Sequence, residues 1–227
     1  DIPNLFVMGK QSFAIADREE EMKNFNVAIA INNERVSNKK DISKIESIEF
    51  KDVEFNFNDT KSSSIKKLNF KIKRQERLII MGKIGAGKSV IARLLLGQLK
   101  PTSGKILING IDLNEINIIS YLEKIGYGPQ EPILFSDSIS ENISFGRTFS
   151  NDNILSMIKK VNLEDEIKLF GKGSDKELEI KGGAVSGGQR HRISLARALI
   201  SDPELVILDD FTSSLDAKCE KIVLDNL

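Results

Sequence analysis

The chain has 227 residues, enough for one large domain or two small ones with ample core in either case. Lys plus Arg and Asp plus Glu both number 33, a balance that gives no argument for a nucleic-acid partner or an anionic membrane surface. The solitary Cys219 excludes an internal disulfide and fits a reducing compartment, the opening Asp1-Ile2-Pro3-Asn4 lacks a signal-peptide pattern, and no apolar run approaches the ~18 residues that span a bilayer, so the chain as it stands is expected to be soluble.

Residues 1–45 differ in character from the rest of the chain. Ser12 to Phe25 is compatible with a helix, with the acidic run Glu19-Glu20-Glu21 and loosely periodic Phe13, Ala16, Met22 and Phe25. Asn32 to Arg35 and Ser37 to Asp41 read as polar linker. From Ile48 to Phe57 apolar and polar residues alternate in strand-like runs, Leu68 to Ile72 repeats the pattern, and Asn58 to Ser64 is the turn between them. Leu78-Ile79-Ile80-Met81 then reads as a short apolar strand entering a glycine-rich loop, with Val90 to Leu96 as the helix beyond. Pro101 to Gly104 turns into the strand Lys105 to Ile108, closed by Asn109-Gly110, a good hairpin signal. Residues 113–125 fit a short helix or a loop, Glu131 to Leu169 is helical with breaks, and Gly171 to Ser174 marks a loop. Ser186 to Ile200 carries the clearest helix start: a Ser-Gly-Gly entry, then Ile193, Leu195, Ala196, Ala198 and Leu199 on one face, ended by Asp202-Pro203. Leu205-Val206-Ile207-Leu208 is continuously apolar, as in a central parallel strand covered on both faces.

The chemistry concentrates in Gly82-Lys83-Ile84-Gly85-Ala86-Gly87-Lys88-Ser89-Val90. Gly82, Gly87, Lys88 and Ser89 match the phosphate-loop pattern G-x-x-x-x-G-K-[ST] at every fixed position. A loop that wraps a phosphate chain aims its backbone N–H groups inward, and side chains at the closest approaches would block it. The helix after the loop turns its positive end toward the anion. Lys88 then reaches the β- and γ-phosphates, and the Ser89 hydroxyl is placed to ligate Mg²⁺. Asp209, ending the apolar run 205–208, fits the carboxylate that closes a Walker B strand and could hold Mg²⁺ beside Ser89. The pattern predicts binding of a nucleoside triphosphate.

With these motifs in view, residues 48–227 resemble the ATP-binding cassette (ABC) ATPases. Val185-Ser186-Gly187-Gly188-Gln189 differs by one conservative residue from their Leu-Ser-Gly-Gly-Gln signature, and Gln189 to Leu199 is similar to their signature helix. Tyr127 to Pro132 resembles the Q-loop and Ser213-Ser214-Leu215-Asp216 the D-loop. Phe57 falls where the family stacks an aromatic, usually Tyr, on adenine. The resemblance implies an α/β fold: a RecA-like P-loop NTPase core, an antiparallel β-subdomain and an inserted helical subdomain over about 131–188, all within 46–227. It implies ATP and Mg²⁺ as cofactors, with Gln130 joining the helical subdomain to the metal and the attacking water. Ser186 and the Gly187 and Gly188 amides form an anion site at a helix start. In the family that site takes the γ-phosphate held by a second cassette, so that two cassettes clamp two ATPs head-to-tail.

Pro132 to Ile143 resembles the exporter-type segment that faces transmembrane coupling helices, and Glu177 matches the acidic position of the exporters' x-loop, though Leu178 to Gly182 departs from that loop's usual sequence. Residues 1–45 then resemble the end of a last membrane helix plus a linker, which puts the protein at the cytoplasmic face of a membrane. Two departures matter. The family's general base is Glu, and here that position is Asp210, whose shorter side chain draws the carboxylate back by roughly 1 Å, a displacement that can cost ~10²-fold in rate. An Asp-Asp ending beside an intact signature resembles the degenerate half of heterodimeric exporters, so either a slow or a non-hydrolytic site is expected. The switch histidine is not found up to Leu227, and His191, where the family usually has Gln, reads as a surface or packing residue of its helix.

Overall fold

The computed structural model describes residues 39–57, 65–83, 85–169, 173–175, 178 and 185–227. Residues 41–227 form one unit. The helix-compatible stretch 12–25, the turn 58–64 and Glu177 lie outside the described residues.

An antiparallel sheet opens the unit. β1 (Ser47–Phe55) pairs with β2 (Ile65–Lys73) on one side and β3 (Ser103–Ile108) on the other, and β4 (Ile111–Asp112) pairs with β3, giving the order β2-β1-β3-β4. Phe50 sits opposite both Phe70 and Ile106, and the Phe50 and Phe70 rings stack at 4.4 Å. The alternation in β1 is not strict: Ile48, Phe50, Val53 and Phe55 are buried, a spacing of three between the middle pair. Asp52 supplies the extra residue, with φ 46, and the register shifts there against both neighbours. Such a bulge returns Val53 to the core face. Asn109 (φ 54) and Gly110 (φ 80) form the expected tight turn between β3 and β4.

The unit begins at Asp41 rather than at 46, and residues 41–45 are not free linker. Ile42 and Ile45 are buried in the core of the antiparallel sheet. The Asn109 amide donates to Lys44 O at 2.7 Å, and its carbonyl accepts from the N–H groups of Glu46 and Ser47.

A second, parallel pair is formed by β5 (Ile125–Gly128) and β6 (Leu205–Leu208). Between them in sequence come the helices α3 (Ile139–Ser144), α4 (Asn151–Lys160), α5 (Glu164–Leu169) and α6 (Gly187–Leu199); α1 (Lys88–Leu95) and α2 (Ile118–Leu122) precede β5, and α7 (Ala217–Asn226) ends the chain. α6 lies almost on the β5 backbone: a Cβ at Gly126 would sit 2.3 Å from Ala198 O. β6 divides two cores. Ile207 belongs to the cluster built on the antiparallel sheet and α1, while Val206 and Leu208 pack on the cluster built around α3 to α7. Both faces of β6 are covered, but among the described residues it has one strand neighbour.

The expected strand Leu78–Met81 does not form. These residues carry no regular structure, and Leu78, Ile79, Ile80 and Met81 are 46%, 82%, 40% and 88% exposed. A strand exists only as one rung of a ladder, and among the described residues nothing pairs with this segment. Among those residues no helix is long and apolar enough to cross a membrane.

Candidate nucleotide-binding site

The glycine-rich loop adopts the conformation its composition demands. Gly85 (φ 80) and Gly87 (φ 89) take left-handed backbone conformations that a side chain would strain, and Ala86 N–H closes a turn on Lys83 O at 3.1 Å. Lys88 folds back on the loop, its ammonium donating to Gly82 O at 2.8 Å and Lys83 O at 3.2 Å. α1 starts directly on Gly87 with no side-chain cap and no acidic residue in its first turn. Its leading amides and positive end are therefore open to an anion. The helix is held from behind by buried Val90, Ile91, Ala92, Leu94 and Leu95. Ser89 sits half-buried in that first turn, and Ile84 lies outside the described residues.

Asp209 comes directly after the last residue of β6, and its N–H donates to Gly128 O at 2.9 Å, carrying the parallel ladder one step further. Tyr127 faces it. Burial pushes the Tyr127 hydroxyl above its usual range, the Asp209 carboxylate adds to that, and Arg93 of α1 opposes it. Arg93 of α1 and Asp209 at the end of β6 thus both act on Tyr127. Ser89 and Asp209 offer only hydroxyl and carboxylate oxygen, a donor set suited to a hard divalent cation. Among the described residues no cluster of three or more His, Cys, Asp or Glu could hold a metal by itself.

Asp210 stands at the entrance of a short 3-10 turn, Phe211–Ser214, with φ 48 and ψ 33. Asp is among the few non-glycine residues that tolerate this left-handed geometry. Its side chain accepts from the Gln130 amide at 3.3 Å, and its backbone carbonyl accepts from the Ser213 hydroxyl at 2.9 Å. Gln130 and Asp210 are brought together from the loops that follow β5 and β6. Phe57, two residues past β1, is 42% exposed, with its ring edge-on to Phe55 at 4.9 Å.

The signature segment builds a capping box. The Ser186 hydroxyl accepts from Gln189 N–H at 3.2 Å, and the Gln189 side-chain oxygen accepts from Ser186 N–H at 2.9 Å. The side chains of both residues therefore bond each other's backbone, while the Gly187 and Gly188 amides head α6 beside them. A Cβ on Gly187 would meet open space, whereas one on Gly188 would sit 3.0 Å from Ser214 O, so the D-loop turn packs on the signature.

Two residues inside the expected motifs have surroundings that the motifs do not give. Tyr127 is a strand residue paired with Ile207 in the parallel ladder, and the Asp209 charge reaches its hydroxyl. His191 is buried and hydrogen-bonded to the loops on either side of α6. On the flank, Ile133, Phe135 and Phe145 are 71%, 49% and 52% exposed. The Arg197 guanidinium lies over both phenyl rings and donates to Ile133 O at 2.9 Å and Asn142 O at 2.7 Å.

Comparison with known proteins agrees with this geometry. The profile of the family described as "ABC transporter" matches residues 65–213. The chain is 41% identical over 178 residues to the ABC multidrug transporter mdr2 of Aspergillus fumigatus, covering 78% of this chain and 22% of that protein. It is 32% identical over 225 residues to the probable multidrug resistance ABC transporter ATP-binding/permease protein YheI of Bacillus subtilis, covering 95% and 38%. Among solved structures, a bacterial Atm1-family ABC exporter with ATP bound superposes with a TM-score of 0.78 at 32% identity, over 84% of this chain and 34% of that one. The chain thus spans between about a fifth and two-fifths of the length of these relatives. An uncapped phosphate loop, a carboxylate-ended parallel strand and the family match over 65–213 lead to one conclusion: the chain belongs to the ABC transporter family and carries its ATP-binding cassette.

Proposed function

We propose that this cassette binds Mg-ATP and hydrolyses it at an interface with a second cassette, driving efflux through a membrane domain. The observation that carries the reading is the meeting of Gln130 and Asp210 next to Asp209, since it joins a carboxylate base to a water-orienting amide beside a metal-type carboxylate. Lys88 and the open start of α1 hold the β- and γ-phosphates; Ser89, Asp209 and Gln130 hold Mg²⁺, which when bound neutralises phosphate charge. Asp210 then takes the proton of the attacking water, which Gln130 orients. Phe57 offers its ring to adenine. Ser186, Gly187, Gly188 and Gln189 present the α6 start to the γ-phosphate on the opposite cassette, head-to-tail. The exposed Ile133, Phe135 and Phe145 suit contact with the coupling helices of a membrane domain, at its cytoplasmic face. Balanced charge supports no nucleic-acid partner.

One observation favours a second reading, in which the cassette is a largely non-hydrolytic regulatory half that supports a partner's site. Asp210 is one methylene shorter than the family's usual base, and its carboxylate is already engaged by Gln130. Single-site turnover in the full-length protein, with any co-purifying half, separates the two. A large rise in hydrolysis on Asp210→Glu supports the regulatory half. Brisk wild-type hydrolysis that Asp210→Asn abolishes supports a working base.

A further inference from the structure

We propose that His191 is a positioning residue that clamps the Q-loop and the D-loop turn to the signature helix and so fixes the Gln130–Asp210 pair. The proposal rests on the hydrolytic reading for its kinetic consequence but on geometry for its substance. His191 is buried on α6, one turn in from Ser186. Its Nε2 lies 3.0 Å from Gln130 O, its Nδ1 lies 2.8 Å from the Ser214 hydroxyl and 3.1 Å from Gly187 O, and its ring stands edge-on to Phe211 with centroids 6.2 Å apart.

The partners fix the Nε2 end of the ring. Gln130 O can only accept, so Nε2 carries the proton and donates. Nδ1 meets Gly187 O, which can only accept, and the Ser214 hydroxyl, which can turn its hydrogen either way and so bonds Nδ1 whether or not that nitrogen carries a proton. The result is a closed circuit: His191 to the backbone of Gln130, the Gln130 side chain to the Asp210 carboxylate, Asp210 through its 3-10 turn to Ser214, and Ser214 back to His191. Asp210 is held from both sides by loops that share one anchor. That anchor stands on a helix with eight buried residues, whose packing leaves it little room to shift. A site built in this way keeps its reacting groups in place because the supporting groups cannot drift. Gly188, packed on Ser214 O, reinforces the same junction.

The test compares His191→Phe, His191→Gln, Ser214→Ala and His191→Phe with Ser214→Ala, all in the full-length protein. Phe keeps a buried ring but removes both hydrogen bonds; Gln keeps a donor and an acceptor on one side chain. His191→Phe should lower kcat by ~10- to 100-fold, the scale expected of a sub-ångström to 1 Å misplacement, with KM for ATP within about twofold because the phosphate loop is untouched. His191→Gln should recover most of kcat, and Ser214→Ala should add little once His191 is Phe. Equal losses in Phe and Gln, or a KM effect with kcat unchanged, would overturn the clamp. A second readout needs no turnover. Imidazole ¹⁵N NMR should show His191 with a proton on Nε2 and an Nδ1 resonance that moves on Ser214→Ala. A ring whose Nε2 carries no proton, or one indifferent to Ser214→Ala, sinks the proposal. Absence of wild-type hydrolysis beside the expected NMR pattern would instead count against the hydrolytic reading alone.

Discussion

The side-chain amide of Gln130 donates to the carboxylate of Asp210 across 3.3 Å, joining two loops that lie 80 residues apart in the chain. The contact exists because β5 and β6 are parallel neighbours, so the loops leaving their carboxyl ends emerge side by side. Asp210 also holds a left-handed backbone, which separates two effects of mutating it. Asp210→Asn keeps the backbone tolerance and an acceptor for Gln130 but removes the base. It should leave thermal stability within about 0.5 kcal/mol, while hydrolysis falls ~10²- to 10⁴-fold if Asp210 is a working base. Asp210→Glu puts a longer, less tolerant residue at φ 48 and should cost ~1 kcal/mol, or about 2–4 °C in Tm for a chain of this size. A Tm that rises on Asp210→Glu would contradict the strain.

Lys88 gives a cleaner separation of binding from folding. Its ammonium bonds only loop carbonyls, at a half-exposed position, so Lys88→Ala should change stability by less than about 1 kcal/mol. The same change removes the cation that meets the β- and γ-phosphates. Wild-type protein in ATP at one hundred times Kd should gain roughly 2.7 kcal/mol of stability, read as a Tm shift, and Lys88→Ala should gain almost none. An equal ATP-induced shift in both proteins would mean that the loop amides alone hold the nucleotide.

These outcomes bear on how much a sequence can reveal. The phosphate loop was legible because its chemistry is local: positive φ at Gly85 and Gly87, a helix start without a competing carboxylate, and a lysine at fixed spacing. Ser186 and Gln189 were legible as a helix entry for the same reason, since a capping box needs only four consecutive residues. Leu78 to Met81 misled because four apolar residues look like a strand whether or not a neighbour pairs with them. Ile42 and Ile45, single isoleucines among polar residues, looked like linker, and their burial depends on Asn109 and Asn117 far along the chain. His191 was legible as a packing residue but not as a clamp, because its bonding partners come from loops 61 residues before it and 23 after it.

The two signature glycines should respond differently to the same substitution. A Cβ on Gly187 enters open space, so Gly187→Ala should be neutral or stabilise by up to about 1 kcal/mol through the unfolded chain. A Cβ on Gly188 comes within 3.0 Å of Ser214 O, a backbone atom that cannot swing aside. Gly188→Ala should push the D-loop turn off α6 and cost on the order of 1–3 kcal/mol. Thermal unfolding of both variants checks the order. Equal Tm values would mean that the D-loop turn yields without cost, and the packing of Ser214 on the signature would lose its significance.

Asp216 offers a prediction in pH. Its carboxylate caps α7, accepting from the Cys219 and Lys218 N–H groups at 2.9 Å and 3.1 Å. The Cys219 N–H bond, foremost, and that from Lys218 hold its pKa below the ordinary carboxylate range, with Arg192 adding to them and burial opposing. The folded pKa is the lower one, so the unfolded chain binds the proton more readily. The stabilisation is complete above the unfolded value of about 3.9 and is lost as pH falls through the folded value. Asp216→Asn keeps a capping oxygen without the charge. The stability gap between wild type and Asp216→Asn, followed by denaturant unfolding, should therefore be constant from pH 7 to about pH 5 and narrow as acid is added below about pH 4. A gap that widens with acid would show that the charge opposes the helix start instead of holding it.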